Sequence, residues 1–471
     1  MTTPAPTQTD LRPLSDGQLA LWFGHLGDAT KAAYQCAEYV DISGPLDADR
    51  WAEALRECLD ATGLAADYLD TPDGPRSRPG GCIVPEVIDL ADAADPEASA
   101  RHWMEGELSR PARRQGDTVL ALHDATGHAL IRLSEHRHWW FARFHHIGVD
   151  GYSVHAFIQW VARVYTDPAA LEESPFTDLA SDSDPLPVRR EDPAADSSWE
   201  EARDFWTRRA DILDTAGSLC ETTAPARVDH HDLRQRMDPD AVEALIDFAT
   251  ETGSTWIEMS FALIGTYSQS YLTDRPAVLG IPWLNRPPAA SDARAVAPRV
   301  NVLPLCLPAV TDPGTTVAEF AAAVRNELTA VRAVQRYRTE WLRRDLGKSG
   351  AGHRLHGPTI NIRPFDRRAT FGPAAGTVHN IRSGPTEDLD IALSLDADGG
   401  LEVRVLANPD LYSVDTAQRH LERITDLLER TPREGPATLG EIPLMLPAER
   451  DLVMNTFNDT GAPATEHTLP S

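Results

Sequence analysis

The stretch WWFARFHHIGVDGYS, residues 139–153, decides the fold. It contains the end of a mainly apolar run, which two adjacent histidines close. The run predicts a buried strand, and Ile-Gly-Val-Asp-Gly separates it from a helical pattern. Successive side chains of a strand face opposite sides, so His145 and His146 are predicted to have different surroundings. The sharper interpretation is that His146 faces a cleft as a catalytic group, Asp150 pins the loop and Gly151 permits close backbone approach. The alternative, that both rings only complete the packing, stays open at this point.

Composition excludes several classes of protein. A formal charge of -28 argues against a nucleic-acid partner, which clustered lysine and arginine would serve. No apolar run approaches the roughly 20 residues of a membrane span, and residues 1–10 read as a disordered leader and not as a secretory signal, so a cytoplasmic protein is expected. The five cysteines are scattered. Neither a disulfide framework nor a metal site is predicted, and no nucleotide or phosphate fingerprint appears.

Periodicity predicts a mixed α/β protein of two lobes. Helical spacing and short β-rich runs alternate on both sides of a segment rich in Pro, Asp, Ser and Ala, between residues 166 and 198, that lacks apolar periodicity. We therefore predict an N-terminal lobe over residues 11–180 and a C-terminal lobe over residues 181–445. The runs TVLALHD, HALIRLS and HWWFARFHH predict a three-stranded meander that carries the histidines.

The pattern H-H-x-x-x-D-G resembles that of the chloramphenicol acetyltransferase superfamily. PLSDGQLALWF, DISGPLDADRWAEAL, APRVNVLPLCL, QRYRTEW and GPTINIRPFD narrow the resemblance to the condensation domains of nonribosomal peptide synthetases and cover almost the whole chain. The resemblance implies two acetyltransferase-like lobes that form a pseudo-dimeric V with a central tunnel. It also implies amide-bond formation between an upstream acyl or peptidyl thioester and a downstream aminoacyl thioester.

The resemblance also implies partners and site residues. Substrates would arrive on the phosphopantetheine of upstream and downstream carrier domains, the domain itself would bind no cofactor, and it would be a monomer within a multidomain synthetase. Residues 446–471 would begin a linker to an adjacent adenylation domain. His146 would be catalytic, His145 would support it from the lobe core, and Asp150 would form an ion pair with Arg286.

The same resemblance marks four further residues as candidates for the tunnel wall or for substrate binding. These candidates are Asn301, Asn361, Ser383 and Gly384. For the two asparagines, an amide satisfied within the chain is the alternative. One segment departs from the family: DATGLAADYLDT, residues 60–71, replaces the motif R-H-E-x-L-R-T, from which we expect altered packing more than lost activity.

Other functions share the histidine motif. A non-catalytic recruitment module of the same fold is the alternative from a different class, and the intact His146 argues against it. An epimerising or ester-forming relative is a further alternative. A free-standing acetyl-CoA acyltransferase fits less well, because its single-lobe plan does not match two lobes.

Overall fold

The computed structural model describes residues 11–112, 116–176, 197–272, 275–286, 296–310, 312–348, 353–364, 367–396 and 398–457. The predicted leader, residues 1–10, lies outside the described residues. So do residues 177–196, which hold most of the predicted lobe boundary, and residues 458–471 of the predicted linker.

The strands, in chain order, are β1 (Arg12–Pro13), β2 (Gln35–Ser43), β3 (Ala66–Thr71), β4 (Gly74–Pro79), β5 (Glu86–Asp89), β6 (Thr118–Ala121), β7 (Gly127–Ser134), β8 (Arg137–His145), β9 (His231–Met237), β10 (Val278–Trp283), β11 (Asn301–Cys306), β12 (Thr359–Arg363), β13 (Arg368–Phe371), β14 (Ala374–Ser383), β15 (Leu389–Leu395) and β16 (Leu401–Ala407). The helices are α1 (Asp16–Gly27), α2 (Ala48–Thr62), α3 (Pro96–Leu108), α4 (Leu122–Ala125), α5 (Gly151–Thr166), α6 (Ser197–Thr207), α7 (Ala210–Asp214), α8 (Pro239–Glu251), α9 (Trp256–Gln269), α10 (Val317–Ala333), α11 (Thr339–Asp345), α12 (Val414–Glu434) and α13 (Pro447–Asp451).

A six-stranded sheet, here called the N-terminal sheet, has the order β13-β14-β2-β8-β7-β5. Its strand β8 is buried along almost its whole length, because both faces of the sheet are covered. Trp140 packs into a cluster with residues of α2 and α5, whereas Trp139 packs into a cluster with residues of α3. This division follows the two-residue period of a strand and explains why large apolar side chains occur on both faces of β8.

A second six-stranded sheet, the C-terminal sheet, has the order β11-β10-β12-β15-β16-β9. Helices α8, α9, α10 and α12 bury their apolar residues against it in one large cluster. β12 pairs in parallel with both β10 and β15, and the other neighbours are antiparallel. Most of the helices and strands of this half were predicted from periodicity.

The two halves are interleaved, because β13 and β14 come from the C-terminal half of the chain but join the N-terminal sheet. β14 pairs with β2 in antiparallel register, with Val378 opposite Val40. Ala369 and Phe371 of β13 accordingly enter the cluster formed with α5. The N-terminal sheet is therefore complete only when a segment from far along the chain lies at its edge.

The predicted three-stranded meander is wrong at its first strand. β6 pairs with β3 in a separate four-stranded sheet of order β1-β4-β3-β6, and only β7 and β8 form the hairpin. Residues 122–125 turn as the short helix α4, which buries Leu122 and Ala125 against the cluster around Trp22. This helix redirects the chain between the two sheets. Among the described residues no helix is both long enough and apolar enough to cross a membrane.

Candidate active site

His146 follows the last residue of β8, and its backbone N–H donates to the Tyr34 carbonyl at 2.8 Å. Its two ring nitrogens contact carbonyl oxygens: Nδ1 lies 3.3 Å from that of Val149, and Nε2 lies 3.3 Å from that of Ser383. Burial lowers the pKa of His146 from its ordinary value of 6.5, and the two carbonyls oppose that change. The ring is therefore held in its neutral form near neutral pH.

His145 has different surroundings, in accordance with strand alternation. It is 1% exposed, and its Nδ1 accepts from the Ile147 N–H at 3.1 Å. Because Nδ1 is an acceptor, the neutral ring carries its proton on Nε2, which lies 3.2 Å from Nδ1 of His25. Burial holds the pKa of His145 well below its ordinary range. Both ring nitrogens are thus used within the N-terminal half.

Asp150 ties the histidine loop to the C-terminal half. Its side chain caps α5 through the Ser153 N–H at 2.9 Å and accepts the backbone N–H groups of Arg299 and Val300 at 2.9 and 3.2 Å. Nη2 of Arg286 lies 3.0 and 2.8 Å from the two carboxylate oxygens, and the two side chains are 4% and 5% exposed. The predicted partners therefore lie in contact. Among the described residues the contacts of the His146 ring nitrogens are with carbonyls and not with this carboxylate, so the geometry is not that of a His-Asp dyad.

Ser383 and Gly384 lie against the His146 ring. Besides the Ser383 carbonyl contact, Gly384 adopts a φ of 93°, a left-handed conformation that glycine tolerates best. A Cβ at this position would lie 3.3 Å from Cδ2 and 3.4 Å from Nε2 of His146. The turn after β14 therefore brings backbone from the C-terminal half directly onto the ring.

Gly151 lies on the wall of the adjoining cavity. This residue begins α5 and is exposed, and a Cβ there would meet no described atom within 4 Å. Its φ is not among the positive values that favour glycine. The described chain thus leaves open space beside Gly151, and its role in close backbone approach stays a prediction.

A cavity of about 1020 Å³ adjoins these residues and is lined from both sheets. The N-terminal half contributes His146, Glu38 and the start of α5, and the C-terminal half contributes residues of β12, β14, β15 and β16. The volume is at the upper end of the range for small-molecule sites. The space next to His146 can therefore hold extended substrates.

The two asparagine candidates have different surroundings. Asn301 is 2% exposed, and its Nδ2 donates to the carbonyls of Gln335 and Tyr337, both at 2.9 Å. Its Oδ1 accepts from the backbone N–H of Thr339 at 3.1 Å and from the hydroxyl at 2.9 Å. The amide is thus fully used, and we interpret Asn301 as structural although it lines the cavity. Asn361 faces the cavity, and its amide, turned with the oxygen toward Arg363, accepts from that guanidinium at 3.2 Å.

Several charged residues of the cavity wall were missed from the sequence, among them Glu38 in β2 and Arg363 in β12. The alternation of polar and apolar residues in TINIR could have indicated that Arg363 lies on the same strand face as Asn361. Nothing local to Glu38 indicates its position. The segment of residues 60–71, which departs from the family motif, forms the end of α2 and β3, and there buried Tyr68 packs with Trp22.

The chain that encloses this histidine-bearing cavity matches a known protein family. The condensation domain profile matches residues 84–454, and the chain belongs to that family. More particularly, it is a condensation domain of the kind found in nonribosomal peptide synthetases, as its relatives show. It is 32% identical over 97% of its length to the dimodular nonribosomal peptide synthase of Bacillus subtilis (strain 168), and 34% identical over 92% to the isonitrile lipopeptide synthase of Streptomyces coeruleorubidus.

Enterobactin synthase component F of Escherichia coli (strain K12) is 27% identical over 93% of the chain. The chain spans 19%, 29% and 34% of the length of these three relatives, respectively. The first condensation domain of the calcium-dependent antibiotic synthetase, solved with a substrate analogue, superposes with a TM-score of 0.79 at 27% identity, over 93% of this chain and 100% of that one. The starter condensation domain of rhizomide synthetase RzmA superposes at 0.71 with 26% identity, over 93% and 100%. The predicted mixed α/β fold of the acetyltransferase-like class is confirmed by these structures.

Proposed function

We propose that this chain forms an amide bond between an upstream carrier-bound acyl or peptidyl thioester and a downstream carrier-bound aminoacyl thioester. One observation carries the proposal: His146, with a lowered pKa, lies at the wall of a cavity of about 1020 Å³ that both halves of the chain enclose. Membership of the condensation domain family supports the same reaction.

The reaction forms one C–N bond and breaks one C–S bond. The attacking amine loses a proton and the leaving thiolate gains one, so an imidazole that accepts and returns the proton is not consumed. Holding two tethered reactants together supplies much of the acceleration, about 7–11 kcal/mol for well-oriented groups. A positioned imidazole adds a factor of about 10² to 10⁴.

We assign this role to His146, acting as a base or as a hydrogen-bond acceptor for the amine. A neutral imidazole has one N–H, so it can donate to only one of the two carbonyls and keeps the other nitrogen as an acceptor. An imidazolium has two N–H groups and can donate to Val149 and Ser383 together. The two carbonyls therefore favour the charged ring that proton transfer would create.

The proposed partners are carrier domains whose phosphopantetheine arms deliver both thioesters, and an adjacent adenylation domain. The synthetases among the relatives, of which this chain corresponds to a part, support this proposal. We further propose a pseudo-dimeric V with a central tunnel, formed by lobes at residues 11–180 and 181–445, and a linker that begins at residue 446. The chain would act as a monomer within its synthetase.

The test uses the chain with separately prepared donor and acceptor carriers, each chemically loaded with its thioester, and analyses the products by mass spectrometry. The expected result is a condensed amide on the acceptor carrier, formed only when the chain and both loaded carriers are present. An ester-linked product, or an acceptor whose α-carbon is inverted without condensation, would identify the alternative reactions. Carrier binding without any reaction would favour a recruitment module.

A further inference from the structure

The cavity wall that the C-terminal sheet provides is polar beside His146. β12 and β15 run in parallel with Arg363 opposite Ser394, and Asn361 lies two residues from Arg363 on the same face. Nη2 of Arg363 lies 3.5 Å from Oγ of Ser383, the residue whose carbonyl contacts His146. Ser383 thus contacts both Arg363 and the imidazole of His146.

Arg363 lacks the carboxylate partner that neighbouring arginines have. Arg404 bonds to both carboxylate oxygens of Asp232 at 2.7 and 2.8 Å, and Arg367 lies 3.2 Å from Glu402. Among the described residues no acidic oxygen lies within the 4.0 Å ion-pair distance of Arg363, and its hydrogen bonds are to Asn361 and Ser383. Burial lowers the pKa of Arg363 to about 10, so the guanidinium is still charged near neutral pH.

Glu38 is the acidic counterpart on the N-terminal sheet. It lies in β2 opposite Asn380 of β14 and lines the same cavity. One of its carboxylate oxygens is shielded from solvent and has no hydrogen-bond partner among the described residues. Burial raises the pKa of Glu38, and the charge of Arg363 is the largest influence opposing that rise. The two side chains therefore influence each other without forming an ion pair.

We propose that Arg363 and Glu38 form a subsite beside His146 that binds an uncharged, hydrogen-bonding side chain of the substrate, of the carboxamide type. The inference rests on the proposed function and names a substrate class for the same cavity. A carboxamide oxygen accepts from the guanidinium while its NH₂ group donates to the carboxylate. An apolar side chain would leave the remaining N–H groups of Arg363 and the shielded oxygen of Glu38 without a partner, and a carboxylate would meet the charge of Glu38. Sites built around such polar groups discriminate strongly against analogues that lack the partner.

The test compares glutamine, glutamate and methionine, which have similar shapes and differ in the terminal group. Each is presented on the donor carrier with one fixed acceptor, and then on the acceptor carrier with one fixed donor, so that the two arms identify which substrate enters the subsite. In one arm we expect kcat/KM for glutamine to exceed that for methionine and for glutamate by about tenfold or more. Equal rates for all three in both arms, or a preference for methionine or glutamate, would overturn the proposal.

Two variants assign the selectivity to its residues. Arg363→Met should remove the preference for glutamine over methionine, and Glu38→Gln should reduce the preference for glutamine over glutamate by about tenfold. Arg343→Met is the matched control, because Arg343 also lines the cavity but lies 3.5 Å from Glu387 and donates to the His353 carbonyl. The control should keep the selectivity of the parent. Unchanged ratios in both test variants would contradict the assignment.

A binding measurement separates this inference from the proposed reaction. Stable amide analogues of glutaminyl-, glutamyl- and methionyl-pantetheine are titrated by calorimetry into the His146→Ala protein, which retains the subsite. Tighter binding of the glutamine analogue supports the subsite even if no condensation is ever observed. Condensation without any selectivity in rate or binding would retain the proposed function and reject the subsite.

Discussion

The two six-stranded sheets contribute different chemistry to one cavity. The N-terminal sheet places His146 immediately after the end of its buried strand β8, and its strand β2 adds Glu38. The C-terminal sheet presents alternating polar residues along β12, among them Asn361 and Arg363. Groups from the C-terminal half, Arg286 and Ser383, also contact the loop or ring that the N-terminal sheet carries. The proposed reacting group is thus restrained partly by groups from the other half of the chain.

Replacing His146 tests this comparison most severely. His146→Ala should lower the rate of condensation by about 10² to 10⁴, because the amine loses its acceptor. The melting temperature should change little, since the ring lies at a cavity wall. Product formation from loaded carriers and thermal unfolding are measured on the same preparation. If the variant formed the condensed product at the parent rate, His146 would not be a catalytic group.

Breaking the connection between the halves should have the next largest effect. Asp150→Ala should lower the free energy of unfolding by about 3–5 kcal/mol, because it strands the buried charge of Arg286. Activity should fall with it, since the histidine loop loses its anchor. Denaturant unfolding measures the loss, and the double variant Asp150→Ala/Arg286→Met, which removes both charges, should recover part of it. An Asp150→Ala protein as stable as the parent but inactive would indicate a direct chemical role instead.

Replacing the neighbouring histidine, His145, should lower stability more than activity. His145→Ala should lower the free energy of unfolding by about 2–3 kcal/mol, because it opens a void and leaves the Ile147 N–H without its acceptor. Activity should fall only secondarily. Exposed His102 offers a control, and His102→Ala should melt like the parent. Thermal and denaturant unfolding check the prediction, and a stable but inactive His145→Ala protein would reverse our assignment of the two faces.

The smallest expected effect is that of pH on the rate. Because burial lowers the pKa of His146 below 6.5, the ring stays neutral until the pH falls below that value, and protonation then removes the acceptor. Initial rates between about pH 5 and pH 8 should show a decline only on the acid side. The residual activity of His146→Ala should lack this decline. An inflection above pH 6.5 would show that the ring is not buried as the fold suggests.

Local patterns predicted the part of the molecule that local interactions determine. Helical spacing after the histidine motif located α5, and the apolar run located β8 with its two histidines. The pairing of β14 with β2 could not be read in the same way. AAGTVHNIRS has little apolar alternation, and its partner strand lies near the other end of the chain. Strands whose stability comes from a distant neighbour carry a weak local signal.

In the candidate site, too, local patterns predict some features and not others. Strand alternation, a local property, predicted that only one of the two histidines faces the cavity, and the family resemblance indicated that this one is His146. The contacts of Ser383 and Gly384 with His146 depend on the interleaving of the halves, and the position of Arg363 depends on the C-terminal sheet facing the same cavity. The role of Gly151 in close backbone approach stays a prediction of the motif, and the described chain leaves open space beside this residue.

The position of β14 also has a consequence for the order in which the chain is synthesised. At about 5–20 residues per second, β2 and β8 leave the ribosome roughly tens of seconds before the strand that completes their sheet. During that interval β2 is an edge with unpaired backbone groups, the kind of surface that promotes aggregation. A nascent chain stalled before residue 374 would keep this edge bare, so β2 is where we expect chaperones to be needed.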